Sequence, residues 1–422
     1  MTNHEPGGRS PEPDLPAPDT TSAFSPAPGP PMRLSGAGQL LAVLPHLLGY
    51  RPERSIVVVA LALDPRGTLG QLVFAGRLDL PETPDLRVGL QQLHHAVQQA
   101  ADGSRGPILL AVFGHDLPTG PGGDVDAAAV EGLLAASRGL AHDAGCHVHD
   151  LVLVRDTPSG GQMCAVVADG EIVPEQERAW GPAPSAPDVP AVADLVLSGR
   201  GVLPSRAAVA ASVRRRDEEA SRATAIEIRL LHLAPGPVDE GRALRDLDAC
   251  LHEGRTLDAR RRAQVAVLLH DRWVRDAVLA RWLPDLPWSE DDASVPRELV
   301  EATRALRPWP TTSHHLGLER LLTLVSEVPR DLGGPLLTLG AMAAWTRGDG
   351  TVANELCDLA LEVDPGSQLA ALLRRALEVG LRPPRRAPGR QGGPRAGGPT
   401  GRRPRGRARG RARGRSGGRP AA

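Results

Sequence analysis

The sequence predicts an α/β domain with a mixed sheet, followed by an all-helical domain, with a non-globular segment at each end. Three observations carry this. Through residues 33–173, apolar β-branched runs alternate with amphipathic stretches in the order β-β-α-β-α-β-β. Beyond a Pro- and Ala-rich segment at 174–190, read as a linker, apolar residues recur at three- and four-residue spacing through 191–381. Residues 1–32 hold nine Pro and almost no large apolar side chain, and 382–422 are rich in Arg and Gly. Neither end can bury enough surface to offset the entropy of ordering, so both are expected to be disordered.

In the first domain, Ser35 stands where an N-cap would precede a helix over 38–48, and Gly49 suits the left-handed position that ends it. Pro45 falls inside that helix and is expected to kink or split it. The run IVVVALAL at 56–63 has the unbroken apolar character of a strand buried on both faces. Asp64-Pro65-Arg66-Gly67 matches a type I turn, and a second strand follows over about 69–80. Helices are expected over 85–101 and 125–144, each leading into a strand, at 107–113 (PILLAVF) and 149–154 (HDLVLV). A hairpin turned at Ser159-Gly160-Gly161 brings in a last strand over 162–168.

In the second domain, helical periodicity marks 207–233, 239–252, 258–283, 296–306, 316–328, 335–345, 352–363 and 368–379. Within AAWTRGDGTVANELCDLALEVDPGS, Gly348, Ala353, Ala360 and Pro365 have the spacing of small and turn positions in tetratricopeptide repeats. One such unit cannot bury a continuous core alone, so it is read as a single helical hairpin packed on its neighbours.

Charge is partitioned along the chain. The 41 residues from 382 to 422 carry 14 Arg and no Asp or Glu, leaving 35 basic residues against 50 acidic ones in the rest. The formal net charge of −1 therefore conceals a basic tail on an acidic body. Every basic residue is Arg, which rules out Schiff-base and Lys general-base chemistry and a Walker A loop. The four cysteines are widely spaced with no C-x-x-C, as expected of reduced thiols in a cytoplasmic protein. The start of the sequence has neither the basic nor the apolar region of a signal peptide, and no stretch approaches the length of a membrane span, so no membrane insertion is expected.

Taken together, LSGAGQLLAVLPHLLGYRPERSIVVVAL (34–61), SGRGVLPSRAAVAA (198–211), HDRWVRDAVL (270–279) and the AAWTRGDG block resemble the bacterial domain-of-unknown-function family numbered 4192, over roughly 33–381. The resemblance implies an α/β half followed by a helical half, with no activity, cofactor or catalytic residue to carry over. Members often have a cysteine pair followed by prolines shortly after the final strand. Here that segment reads GEIVPEQERAWGPAPSAP, with no Cys, so the resemblance brings no metal or redox role to it.

Few constellations point to chemistry. Gly36-Ala37-Gly38 follows no strand and has Leu41 where a dinucleotide loop needs its third Gly. Arg51 and Arg54 lie in a connection whose backbone N–H groups could help them hold a phosphate or carboxylate; an ordinary αβ connection with a local Arg–Glu pair is the simpler reading. His147 and His149 would share a strand face, as two zinc ligands do, but no further ligands follow at metal-site spacing and no cofactor is implied. Asp116 and Asp156 follow strands preceded by helices, at the carboxyl ends where α/β sheets bind ligands; Asp is also a common turn former.

The tail differs in kind. Arg403, Arg405, Arg407, Arg409, Arg411, Arg413 and Arg415 fall at every second residue, and three Arg-Gly-Arg triplets resemble AT-hook cores, with Ala408 where that motif has its second Pro. In an extended chain such residues form a row of guanidiniums along one side, able to follow a phosphate backbone; a GC-rich low-complexity extension without a partner, a tail folded back onto its own acidic body and an anionic membrane are the competing readings. The expected function is therefore a non-enzymatic binding or scaffold protein. Its helical half would contact another protein and its tail would associate with nucleic acid. The rival expectation is an enzyme of unknown reaction with a site at the carboxyl ends of the strands.

Overall fold

The computed structural model of the chain describes residues 34–383, apart from 64–69, 81–85, 103, 105, 121–123, 234–237, 285, 287–296, 311–312 and 382. The expected turn at 64–67, the N-terminal segment and the arginine tail lie outside the described residues.

Helix α1 (Gly36–Leu48) leads into strand β1 (Ser55–Leu63), which pairs antiparallel with β2 (Gly70–Asp79). Helix α2 (Leu86–Asp102) returns the chain to β3 (Ile108–His115), antiparallel to the other edge of β1. Helix α3 (Ala127–Asp143) then crosses to β4 (His147–Thr157), parallel to β3, and β4 turns into antiparallel β5 (Gly160–Ala168). Two short strands, β6 (Glu171–Ile172) and β7 (Gly181–Pro182), both pair with β5. The sheet order is β2-β1-β3-β4-β5-β6, with β7 also beside β5, so the sheet is mixed as expected.

Alternation along β1 shows why its sequence is apolar throughout. Ile56, Val58 and Ala60 enter a core with α2 and α3, whereas Val57 and Val59 enter a second core with α1 and α4 (Pro190–Leu197). These strand residues are fully buried, and each buried Val contributes on the order of 1.5–3 kcal/mol. Helix α1 runs through Pro45 without splitting. Its seven buried residues, including Val43, Leu44 and Leu48, anchor it on both sides of the proline. Ser35 is the N-cap by position, but its hydroxyl caps nothing; instead its N–H donates to the Gln39 side chain at 2.9 Å. Gly49 takes φ 81° and closes the helix as expected.

The 174–190 segment carries two 3-10 turns, Glu175–Glu177 and Ala186–Asp188, on either side of β7. It is strapped to the sheet by β7 and by the Arg155 guanidinium, 4.0 Å from the Trp180 ring centroid. Proline and alanine hid these contacts, because backbone pairing and one cation–π contact leave no periodic signature.

The helical half comprises α5 (Arg206–Val213), α6 (Glu218–Leu233), α7 (Glu240–Glu253), α8 (Ala259–Leu269), α9 (Arg272–Trp282), α10 (Arg297–Arg304), α11 (His314–Ser326), α12 (Gly334–Thr346), α13 (Gly350–Val363) and α14 (Gln368–Glu378). Helix α12 is buried on every side and forms the centre, against α9, α11, α13 and α14. In the same core the Trp282 and Trp309 ring centroids lie 5.1 Å apart in a tilted arrangement. Segments 334–363 form a hairpin of α12 and α13, with Gly348 at φ 81° in its turn.

Two expected long helices are each broken by an aspartate. Residues 207–233 divide at Asp217, whose carboxylate accepts from Ala220 N at 3.0 Å, and 258–283 divide at Asp271, which accepts from Trp273 N at 2.7 Å. Apolar periodicity passed through both breaks, and the capping chemistry decided otherwise. Replacing Asp271 by Ala removes the acceptor for an orphan helix N–H. We expect a loss of about 1 kcal/mol, read as a lower urea midpoint with unchanged slope.

The two halves meet beside α1 and again beside α2. Tyr50 bridges to Leu203, with Leu203 N donating to Gly49 O at 2.9 Å and Arg51 N to Leu203 O at 3.1 Å. Thr351, in the first turn of α13, donates to Leu48 O at 3.3 Å, and Val352 packs against the α1 core. Farther along, Gly380 lies so close to α2 that a Cβ there would run into Ala96.

Candidate functional site

At one end of the sheet the core-facing positions turn polar. Strand register sets Asp79 opposite Ser55 and Ser55 opposite His115, and His115 opposite Val154. The same parity carries Val57, Val59, Ala75, Ala111, Phe113, Val152 and Val154 into the α1 core. Asp79, Ser55 and His115 therefore form a row across three strands on that face, with Arg77 one step inward.

This row is covered rather than open. Ser55, Arg77 and His115 are 0%, 8% and 6% exposed, and Tyr50, lying over them, is 1% exposed. The Arg77 guanidinium sits 5.5 Å from the Tyr50 ring centroid and donates to Glu53 O at 3.1 Å. It also pairs with Asp79 at 2.5 Å. From the helical half, Arg206 reaches both Asp79 (3.5 Å) and Glu355 (3.4 Å), and the Tyr50 hydroxyl hydrogen-bonds Thr351. A chain of alternating charge thus runs from the sheet through α5 to α13.

Three atoms within this cluster have no hydrogen-bond partner: Ser55 Oγ, Arg77 Nε and His115 Nε2. Buried polar atoms are nearly always satisfied, so three in one row leave hydrogen-bonding capacity that the described residues do not use. Burial, aided by the Arg77 charge, pushes the His115 imidazole down to about 4, so the ring is neutral near pH 7. Burial also raises the Tyr50 hydroxyl, against the pull of Arg77 and Arg206. Ser55 and His115 do not hydrogen-bond each other, so the pair is not assembled as nucleophile and base. The row thus gathers a hydroxyl, a guanidinium and a neutral imidazole on one buried face of the sheet.

The residues singled out from sequence fall around this row. Asp116 follows His115 directly, at φ 50°, and its N–H donates to Val154 O at 2.9 Å; its side chain is half-buried. Asp156 lies on the same sheet end, opposite Gly161 in β4, and is exposed. Among the described residues, no ion pair or hydrogen bond links Asp116 and Asp156 through a common partner. Arg51 and Arg54 are both exposed in the connection before β1. Arg51 contributes its N–H to Leu203, and Arg54, at φ 40°, accepts from Leu80 N at 2.9 Å through its carbonyl.

His149 is itself the extra residue that β4 carries between Val148 and Asp150 relative to β3, two positions after His147. Strict alternation fails there. His147 is exposed, and His149 Nε2 instead faces Asp169 Oδ1 at 3.5 Å. Among the described residues, no group of three His, Cys, Asp or Glu is gathered to hold a metal ion. All four cysteines are free and buried; burial pushes the Cys250 and Cys357 thiols up to about 11 and about 12, which leaves them unreactive.

Sequence reading passed over Ser55, Arg77 and His115, which are ordinary one at a time. A signal was present: each is a polar residue at the core-facing parity of an apolar strand, in ERSIVVV, VFAGRLD and AVFGHD.

The architecture defines a class: a mixed sheet between two helical layers, sealed on one side by a helical half, with a buried polar row along the seam. The family model described as Domain of unknown function (DUF4192) matches residues 38–384, and the chain belongs to that family. No curated protein and no solved structure matches the chain.

Proposed function

We propose that the chain is a non-enzymatic binding or scaffold protein that associates with nucleic acid through its arginine tail and with a protein through its helical half. The observation that carries this reading is the 14 Arg, without a single acid, in residues 382–422. Alternating guanidiniums displace counterions from a phosphate backbone whatever its sequence, which makes the association salt-sensitive. The absence of Phe, Tyr and Trp from the tail disfavours base stacking. A protein partner is favoured by α6, where Ile226, Leu230 and Leu233 recur on one helical face and are 51%, 51% and 80% exposed. Four buried, unbridged thiols favour a cytoplasmic setting. Among the described residues, no helix is long and apolar enough to cross a membrane.

Retention on duplex DNA by the full chain, titrated with salt, should give a log–log slope of about −6 if seven tail arginines engage phosphates. A chain ending at Leu381 should lose that retention. Equal slopes for the two forms would remove the tail from the account.

A second reading, a small-ligand or catalytic site at the carboxyl ends of β3 and β4, is favoured by the three unpartnered atoms of Ser55, Arg77 and His115. Chemical-shift mapping with small polar metabolites tests it; perturbations that all lie away from this row would end it.

A further inference from the structure

Helix α6 has apolar residues on two opposite faces. Ser221, Thr224 and Ile228 are buried, and the Thr224 hydroxyl accepts from Arg262 of α8 at 2.9 Å, so this face belongs to the helical core. On the far side, Ala223, Ile226, Leu230 and Leu233 follow one another at steps of three, four and three residues. At about 3.6 residues per turn they fall in one narrow stripe, the spacing by which one helix meets a second along its length. Ala223 is half-buried and the other three are exposed.

The charges beside the stripe say what covers it. Arg222 and Arg229 border it on one side and Glu227 on the other. Arg222 and Glu227 stand on opposite flanks of their own helix and cannot pair with each other. Among the described residues neither forms an ion pair, although Arg222 Nε donates to Glu218 O of the same helix at 3.0 Å. When two copies of such a helix pair in parallel about a two-fold axis, the residue preceding the first stripe position faces the residue five further on in the other copy. Arg222 of each copy then meets Glu227 of the other, twice by symmetry. Antiparallel pairing sets like flanks together and brings Arg229 against Arg229. The charge pattern therefore complements itself in one orientation only.

We propose that α6 is a self-association face. Two copies of the chain pair through it in parallel, with Ala223, Ile226, Leu230 and Leu233 between the helices and Arg222 of each copy facing Glu227 of the other. This deepens, and rests on, the reading of the helical half as a protein-contact surface. Glu219 is exposed at the N-terminal end of the stripe and would oppose its own copy, so the apolar contact begins at Ala223. A contact this short gives a weak, concentration-dependent dimer.

The test is sedimentation velocity of the full chain, treated with nuclease so that nucleic acid on the tail does not bridge copies. Between about 1 μM and about 300 μM, the range in which weak interfaces fill, the chain should pass from monomer towards dimer. Leu230→Glu should abolish the dimer. Arg222→Glu and Glu227→Arg each set like charges across both symmetric contacts, and each should weaken the dimer about tenfold or more. The double exchange Arg222→Glu/Glu227→Arg should restore it. The charge variants serve if Leu230→Glu does not fold. A chain monomeric throughout overturns the proposal and leaves α6 to a different protein or to a segment of its own chain. A dimer indifferent to Leu230→Glu overturns both the proposal and the use of α6 as a contact face. A dimer lost in Leu230→Glu but not restored by the double exchange overturns the parallel pairing.

Discussion

Arg77→Met is expected to lower the unfolding free energy by about 2 kcal/mol, measured as a drop in the urea midpoint at unchanged slope. Methionine keeps the length and apolar stem of the side chain, so the loss isolates the guanidinium. It removes the bond to Glu53 O, the contact with the Tyr50 ring and the pair with Asp79. Breaking a buried pair typically costs 3–5 kcal/mol. The lower figure applies here because Asp79 is 45% exposed and keeps Arg206 at 3.5 Å. Loss of the unpartnered Nε also relieves some desolvation. A change below about 0.5 kcal/mol, the range of ordinary surface substitutions, would show that the Arg77 interactions are already balanced by that cost. The same variant should raise the His115 proton affinity, because the Arg77 charge helps to hold it down.

Acid is the second strong perturbation. His115 and His314 are held at about 4 and about 3, below the ordinary 6.5. The unfolded chain therefore binds protons that the folded chain refuses, and stability falls as pH drops below 6.5. Between pH 7 and pH 5 the two rings together cost about 4 kcal/mol by linkage. Asp349 works in the opposite sense. Burial raises it from 3.8 to about 6, against the pull of the Val352 N–H and Arg200, so the folded state takes up a proton first. That offsets about 1 kcal/mol over the same interval. Glu327 and Asp150, also raised by burial, act in the same direction as Asp349. Glu362, lowered by its bond to Arg214, contributes stability that is lost only as pH falls below 4.5. The net expectation is a loss of about 2 kcal/mol between pH 7 and pH 5. Urea titrations at both values test it. A His115→Gln/His314→Gln chain that loses as much as the parent would refute the assignment of neutral imidazoles.

The division of the chain was legible because each half repeats one period. IVVVALAL at 56–63 has the composition of a strand covered on both sides, and β1 is covered by α1 and α4 on one side and α2 and α3 on the other. Its neighbours are both antiparallel, which composition does not reveal. Helix α4 was missed, because eight residues flanked by Pro and Ala give little periodic signal. The polar row was missed for a different reason. Ser55, Arg77 and His115 are separated by 22 and 38 residues in sequence, and only strand register makes them neighbours.

The seam also governs the order in which the protein can be completed. Thr351 donates to Leu48 across 303 residues, and Gly380 closes on Ala96. At ribosomal rates of about 5–20 residues per second, α1 and the face of the sheet beneath it wait on the order of 15–60 s for the helices that finish their burial. During that interval the growing chain carries an unfinished apolar surface beside a half-built charge chain. Nascent copies are thus most exposed to misassociation after the sheet has formed and before α13 emerges. Slowing translation upstream of Gly350 should lower the soluble yield more than slowing it after Leu381.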